Sequence, residues 1–285
     1  MSDINSSDEA VVGIVVAILL IGLAISITVM INNVYVPQWL EEEEAAHMEQ
    51  VASQFAQLKY AIDLQTLVGE DTPLSVYVTL GIKNLPILSV GKTFGTLEIK
   101  NQQCIISIEN ATNSWNYTLG QIKFSSGNSY YVRQQYIYEN GALILAQNDK
   151  SMLLGKPLFS ARYDPHIANL CDMQFTVINI TTSESKSSIG GYGTYPIHVE
   201  PMSSTSISNI ENVTKITVIS NYPNAWYTAF RSTFKRTDTP YDESIVSMDE
   251  DNNTVTVIFP TPVTSNVFTI KYVEIYAQVA PGWVE

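Results

Sequence analysis

The chain has 285 residues, 28 acids against 15 bases for a formal charge of −13, and two cysteines. The charge is uneven: positions 1–71 hold eleven acids and one base, Lys59, whereas the remaining 214 residues, with 17 acids and 14 bases, are nearly balanced. No basic patch is available to displace counterions from a phosphate backbone, which excludes nucleic acid as a partner, and 214 residues suit one large domain or two small ones.

Residues 1–9 form a short polar N-terminus, read as cytoplasmic or processed. Ala10 to Ile31 is an unbroken apolar run of 22 residues without a charge. At about 1.5 Å per helical residue it spans roughly 33 Å, enough for a bilayer core of about 30 Å. It exceeds the h-region of a cleavable signal, about 7–15 residues, and no positive residue precedes it, so it reads as a retained transmembrane helix over 10–31. Gly13, Gly22 and Ser26 are the small residues that would let such helices pack closely.

Because the chain has no Lys or Arg before Lys59, charge bias cannot orient the span. Five Asn-x-Thr sequons, at Asn110, Asn116, Asn179, Asn212 and Asn252, all follow it. They point to an extracellular C-terminal domain with five candidate N-glycosylation sites, and hence to a single-pass protein of the cell surface.

Residues 32–71 predict an amphipathic stalk. Met48, Val51, Phe55, Leu58 and Ile62 recur at steps of three and four, one narrow helical stripe opposite Glu49, Gln50, Gln54, Gln57 and Lys59. Such a stripe is the seam of a coiled coil or a face folded onto the chain's own domain. Pro37, followed by Glu41 to Glu44, marks either a fresh helix start or a kink in one long helix from about Ala10 to Thr66. The four glutamates read as a solvated face, and Tyr35 and Trp39 flank the membrane boundary as headgroup-level rings do.

From Thr72 onward short runs rich in Val, Ile, Thr, Tyr and Phe alternate with turn residues, as strands do. The prediction is a mainly β ectodomain over 72–285, β-sandwich-like with one short helix inserted, and with two halves divided near residue 190. Asn140-Gly141, between SYYVRQQYIYE and ALILAQ, signals a type I′ hairpin. Asn224 to Lys235 predicts the helix, with Trp226, Phe230 and Phe234 on one core face. Ser183 to Gly193 reads as a loop or a seam between halves. Cys104 and Cys171 either pair or remain two buried free thiols.

Catalytic constellations are thin. His47, His166 and His198 are isolated, with no second ligand at metal-binding spacing. Ser188-Ile189-Gly190-Gly191 matches neither a nucleophile elbow nor a phosphate loop. Asp249 to Asn253 lacks the glycine and glutamate of a calcium loop, since Thr254 and Pro260 stand there, and reads as an acidic hairpin turn. The sequence therefore predicts no enzyme, cofactor or metal.

Asp8-Glu9-Ala10-Val11, leading into Gly13 and the Ile/Val/Leu run, resembles the N-terminal segment of archaeal type IV pilin-like proteins. Pro37-Gln38-Trp39, Glu44, His47, Gln54-Phe55, Leu80-Gly81 and Glu139-Asn140-Gly141-Ala142 resemble segments of archaeal membrane-anchored surface proteins with the same layout. The resemblance implies a subunit whose hydrophobic helices bundle into a filament core, with β domains displayed outward. The expected function is structural or adhesive, and the expected partners are the lipid bilayer and further copies through the N-terminal helix. The alternative is a non-polymerising, membrane-tethered module that recognises an envelope glycan or surface protein.

Overall fold

A computed structural model describes residues 3–68, 72–82, 93–148, 150–163, 170–235, 243–259 and 267–279. The N-terminal helix is unbroken: α1 (Asp3–Met30), one π-helical segment (Ile31–Tyr35) and α2 (Val36–Val68) follow without interruption. Pro37 explains the π segment. Proline lacks an N–H and its ring strikes the carbonyl four residues back, and widening the preceding turn by one residue relieves both. The Val36 N–H accordingly reaches five residues back to the Ile31 carbonyl. Of the two readings of Pro37, the continuous helix is the one realised.

Among the described residues fourteen strands follow: β1 (Leu74–Thr79), β2 (Gly95–Asn110), β3 (Ser114–Ser126), β4 (Gln135–Glu139), β5 (Ala142–Gln147), β6 (Lys150–Gly155) and β7 (Phe159–Tyr163). The rest are β8 (Leu170–Thr181), β9 (Ser188–Gly191), β10 (Thr194–Ile210), β11 (Val213–Ser220), β12 (Val246–Asp249), β13 (Thr254–Ile258) and β14 (Val267–Val279), with α3 (Pro223–Phe234) between β11 and β12. One sheet runs β1-β10-β14-β8-β7. The other runs β12-β13-β11-β2-β3-β4-β5-β6, with β9 added beside the first half of β2. The β8–β14 pair is parallel and every other described pair is antiparallel.

Both sheets contribute to two buried clusters. In the first, Cys104, Ile106 and Ile108 of β2 meet Met173 and Phe175 of β8 and Phe268 and Ile270 of β14, and α3 closes the cluster with Trp226, Phe230 and Phe234. In the second, Leu97 and Ile99 of β2 meet Ile178 and Ile180 of β8 and Val273 and Ile275 of β14, and α2 closes it with Met48, Val51, Phe55, Leu58 and Ile62. The same three long strands therefore run through both cores, and each core is completed by one helix. The predicted stalk is an integral wall of the head: its stripe, 0–2% exposed, is covered by the chain's own β-strands and so is not the seam of a coiled coil.

Several local expectations hold. Asn140 and Gly141 both take positive φ, 45° and 76°, in the tight turn from β4 to β5, and α3 forms where its aromatic spacing placed it. Others need correction. The strand read through SYYVRQQYIY begins only at Gln135, because Ser129 to Tyr131 are folded around a carboxylate, as described below. Ser188–Gly191 is a strand on β2, and residue 190 divides nothing, since the sheet containing β7 and β8 also contains β10 and β14. Cys104 is a free, fully buried thiol, so it forms no disulfide with Cys171, whose side chain lies outside the described residues. His166 also lies outside them.

Candidate functional site

Two features could carry function: the seam that joins the helix to the head, and a polar cleft on the head. Along the seam nearly every turn of α2 is tied down. Glu44, buried to 2% exposure, accepts from three consecutive backbone amides, Ser129 at 3.1 Å, Tyr130 at 2.8 Å and Tyr131 at 2.6 Å. A carboxylate can leave water only where such charge-assisted bonds replace its hydration. Glu41, Glu42 and Glu43 are exposed as expected, but the fourth glutamate of the run is the latch that gathers the 129–131 loop.

One turn on, His47 donates from Nε2 to the Thr79 carbonyl at 2.9 Å. Burial pushes its pKa down, opposed by that hydrogen bond and by the Glu44 charge. Gln54 accepts from the Thr79 N–H at 2.9 Å and donates to the Thr79 hydroxyl at 3.1 Å. Lys59 reaches both Asp63 and the Gly141 carbonyl of the β4–β5 turn, each at 2.7 Å. Gln65 donates to the carbonyls of Thr72 and Val199, and Lys271 of β14 donates to the Thr66 carbonyl. This half of the helix cannot swing relative to the head without breaking bonds over its whole length.

The cleft, of about 680 Å³, opens between the ends of β3 to β6, the start of α3 and the β12–β13 turn. Seven of its fifteen lining residues are Asn or Gln, accompanied by Arg133, Lys150 and Glu250. A carboxamide donates and accepts at once, as a sugar hydroxyl does, so this lining suits a polyhydroxylated ligand better than an apolar or a singly charged one. No group of three His, Cys, Asp or Glu suited to a metal occurs among the described residues.

The wall formed by the start of α3 is positioned from beneath by Glu139. Its Oε1 accepts from Ser220 Oγ at 2.6 Å and Trp226 Nε1 at 2.8 Å, and Ser220 Oγ in turn accepts from the Tyr222 N–H at 3.1 Å. Burial raises the Glu139 pKa, and the bonds from Ser220, Trp226 and Cys104 oppose the rise. Burial, together with the Glu139 charge, pushes the Tyr222 hydroxyl up to about 12 and holds the Cys104 thiol well above its usual value. Cys104, Glu139 and Ser220 are almost fully sealed from solvent, so the cluster acts as a tie between β2, β4, β11 and α3.

Residues 90–271 match a family described as a family of unknown function, DUF7289. The chain belongs to that family. Among curated proteins and among solved structures, nothing matches. The matched residues contain the entire cleft lining and the three amides that hold Glu44. They leave out α1, α2 and β1, so the long N-terminal helix and its latching side chains lie outside the part of the chain that matches the family.

The expected packing residues of α1 stand in the open. A Cβ at Gly13 or Gly22 would meet nothing within 4 Å, and Ser26 Oγ donates to the Gly22 carbonyl of its own helix at 2.8 Å. Gly22 and Ser26 share a face. Gly13, nine residues before Gly22, lies about 180° round the helix, so the three do not form one seam.

Among the sequons, Asn116 and Asn252 are exposed, and Asn110 and Asn212 are half-buried beside turns. Asn179 is not free to carry a sugar. Its Oδ1 accepts from the Gly120 N–H and its Nδ2 donates to Tyr272 Oη, both at 3.1 Å, where β3 and β8 approach so closely that a Cβ on Gly120 would stand 2.0 Å from the Ile180 carbonyl oxygen.

Sequence reasoning found the α2 stripe but none of the cleft residues. The available signal was the density of Asn and Gln at the ends of neighbouring strands, Gln134-Gln135, Gln147-Asn148 and Asn221 to Asn224, which local periodicity does not register.

Proposed function

We propose that the chain is a non-catalytic, pilin-like structural or adhesion protein of the cell surface, with α1 in the bilayer and a β-sandwich-like head outside. The observation that carries this reading is the single helix with two environments: apolar on all sides and uncovered from Val11 to Ile31, then bonded to the head from Leu40 onward. Leu40 lies nine residues beyond Ile31, about 13 Å along the axis, so the head stands close above the headgroup layer instead of on a long stalk. A load on the head passes directly into the anchor. In a filament the uncovered halves of α1 would bundle, with Gly22 and Ser26 as the face of closest approach.

A second reading has an observation of its own. The carboxamide-rich cleft fits a tethered binding module for an envelope glycan, in which α1 anchors one copy without polymerising.

Electron microscopy of sheared surface material, with mass spectrometry of the mature N-terminus, separates the two. Filaments containing this chain, cleaved close to Ala10, support the first. An intact N-terminus with the protein confined to a membrane band overturns it in favour of the second. Protease added to intact cells should remove the head, and full protection would overturn both.

A further inference from the structure

We infer that Asn116, alone of the five sequons, carries an N-linked glycan, and that this sugar lies over the outward face of the strands beside it. The inference rests on the placement of the head outside the cell proposed above.

Transfer of a sugar needs an amide nitrogen that faces solvent and a threonine hydroxyl that the transferring enzyme can read. Four sequons have these groups engaged within the fold. Asn110 Oδ1 accepts from the Thr112 and Asn113 N–H groups and from the Thr112 hydroxyl, and its Nδ2 donates to the Glu211 carbonyl at 3.1 Å. Asn179 is held between strands, and Thr181 Oγ1 donates to the Ile275 carbonyl. Asn212 is half-buried, and Thr214 Oγ1 donates to the Glu109 carbonyl at 3.3 Å. Asn252 Nδ2 donates to Asp249 at 2.7 Å, and Thr254 Oγ1 donates to the Asn252 carbonyl at 2.9 Å.

Asn116 differs in each respect. The period of a strand puts residues i and i+2 on one face, and Asn116 and Thr118 are both exposed on the outer face of β3. Among the described residues nothing bonds to Asn116 Nδ2 or to the Thr118 hydroxyl; Ser114 Oγ meets the amide at Oδ1, at 3.4 Å. Space is available as well, because β4 pairs with β3 only over Gln121–Ser125, and beside Asn116 the one described neighbour of β3 is β2. In the transfer Nδ2 bonds to the anomeric carbon of a glycosyl phosphate donor. The carbon–oxygen bond to the phosphate breaks, the phosphate leaves with the electron pair, and Nδ2 releases one of its two protons to solvent.

The strand register shows what the sugar meets. Asn116 stands opposite Ser107 on β2, Ser107 opposite Thr217 on β11, Thr217 opposite Thr256 on β13 and Thr256 opposite Ser247 on β12. This row is uncharged, and its hydroxyls donate and accept as those of a sugar do. In the next row Ile105 and Ile219, 40% and 41% exposed, form a cross-strand pair that the sugar covers.

The test uses the full chain purified from the membranes of the cells that make it. Peptide mass spectrometry should find a glycan on Asn116 and on none of the other four sequons; Thr118→Ala should abolish it and Thr118→Ser preserve it. With the glycan in place a maleimide should label Ser107→Cys about fivefold more slowly than in an Asn116→Gln background. Ser247→Cys, four strand spacings or about 19 Å from Asn116, should label equally in both, and an unchanged melting temperature verifies folding. A glycan on any other sequon, or none on a head that external protease removes from intact cells, overturns the proposal and leaves the outward placement standing. A head protected from that protease overturns the placement and the proposal with it. Equal labelling of Ser107→Cys in the two backgrounds overturns the coverage of the sheet face.

Discussion

The two halves of the N-terminal helix are one continuous element with two different surroundings, one uncovered and one packed against the head. Val11 to Ile31 is apolar on every side and exposed throughout. From Leu40 to Thr66 one face is buried among β-strands and the flanks are hydrogen-bonded to the head. The π segment between them keeps the helix continuous across Pro37. Helical continuity therefore does not imply a shared role: one half contributes to the stability of the head and the other does not.

The largest expected effect follows from that division. Removing residues 1–35 should move the protein from the detergent-dependent fraction to free solution, while the melting temperature of the head changes by less than about 2 °C, because no described α1 side chain is buried. Loss of the head's cooperative melt would break the comparison. Next in size, Phe55→Ala should destabilise the head by about 3–5 kcal/mol through the cavity it opens. Ile18→Ala in α1 should stay within about 0.5 kcal/mol, and urea unfolding of the full chain in detergent reads both.

Glu44→Ala leaves three amides facing a void and should cost about 2–3 kcal/mol. Hydrogen exchange should then accelerate at Ser129 to Tyr131, and Glu42→Gln, two residues away and exposed, should change neither. The smallest effect is with pH. Burial depresses the His47 pKa below its ordinary 6.5, so below that value the unfolded chain binds the extra proton. Stability is complete above about pH 6.5 and falls as the pH drops through the folded value. His47→Gln keeps a donor for the Thr79 carbonyl and should flatten the decline in melting temperature between pH 7 and 5. Asp63 and Glu139, both raised by burial, act oppositely: what they contribute is full at low pH and is lost as the pH rises through their folded values.

The apolar run, the three-four spacing of Met48 to Ile62, the Asn140-Gly141 turn and the aromatic row of α3 were all legible along the chain, because each rests on neighbours within a few turns. The spacing of a buried stripe says which face leaves water but not what covers it, and a second helix or the chain's own sheet produces the same period. Glu44 looks like Glu43 in a run of four, and only three amides some 85 residues further on distinguish it. The cleft was invisible for the same reason, since its carboxamides come from four separate turns.

By itself the sequence determined local matters: where the chain is helical or extended, which segment is apolar enough to cross a bilayer, and which side chains seek burial. Those follow from backbone preference and hydropathy, which act over short separations. Tertiary structure alone decided that the amphipathic half of the helix closes a core, that one glutamate is a latch, that Asn179 is held between strands and that β10 beyond Val199 has a strand, β14, on one side only among the described residues. Such outcomes depend on which distant backbone groups come within hydrogen-bonding reach once two sheets have packed together.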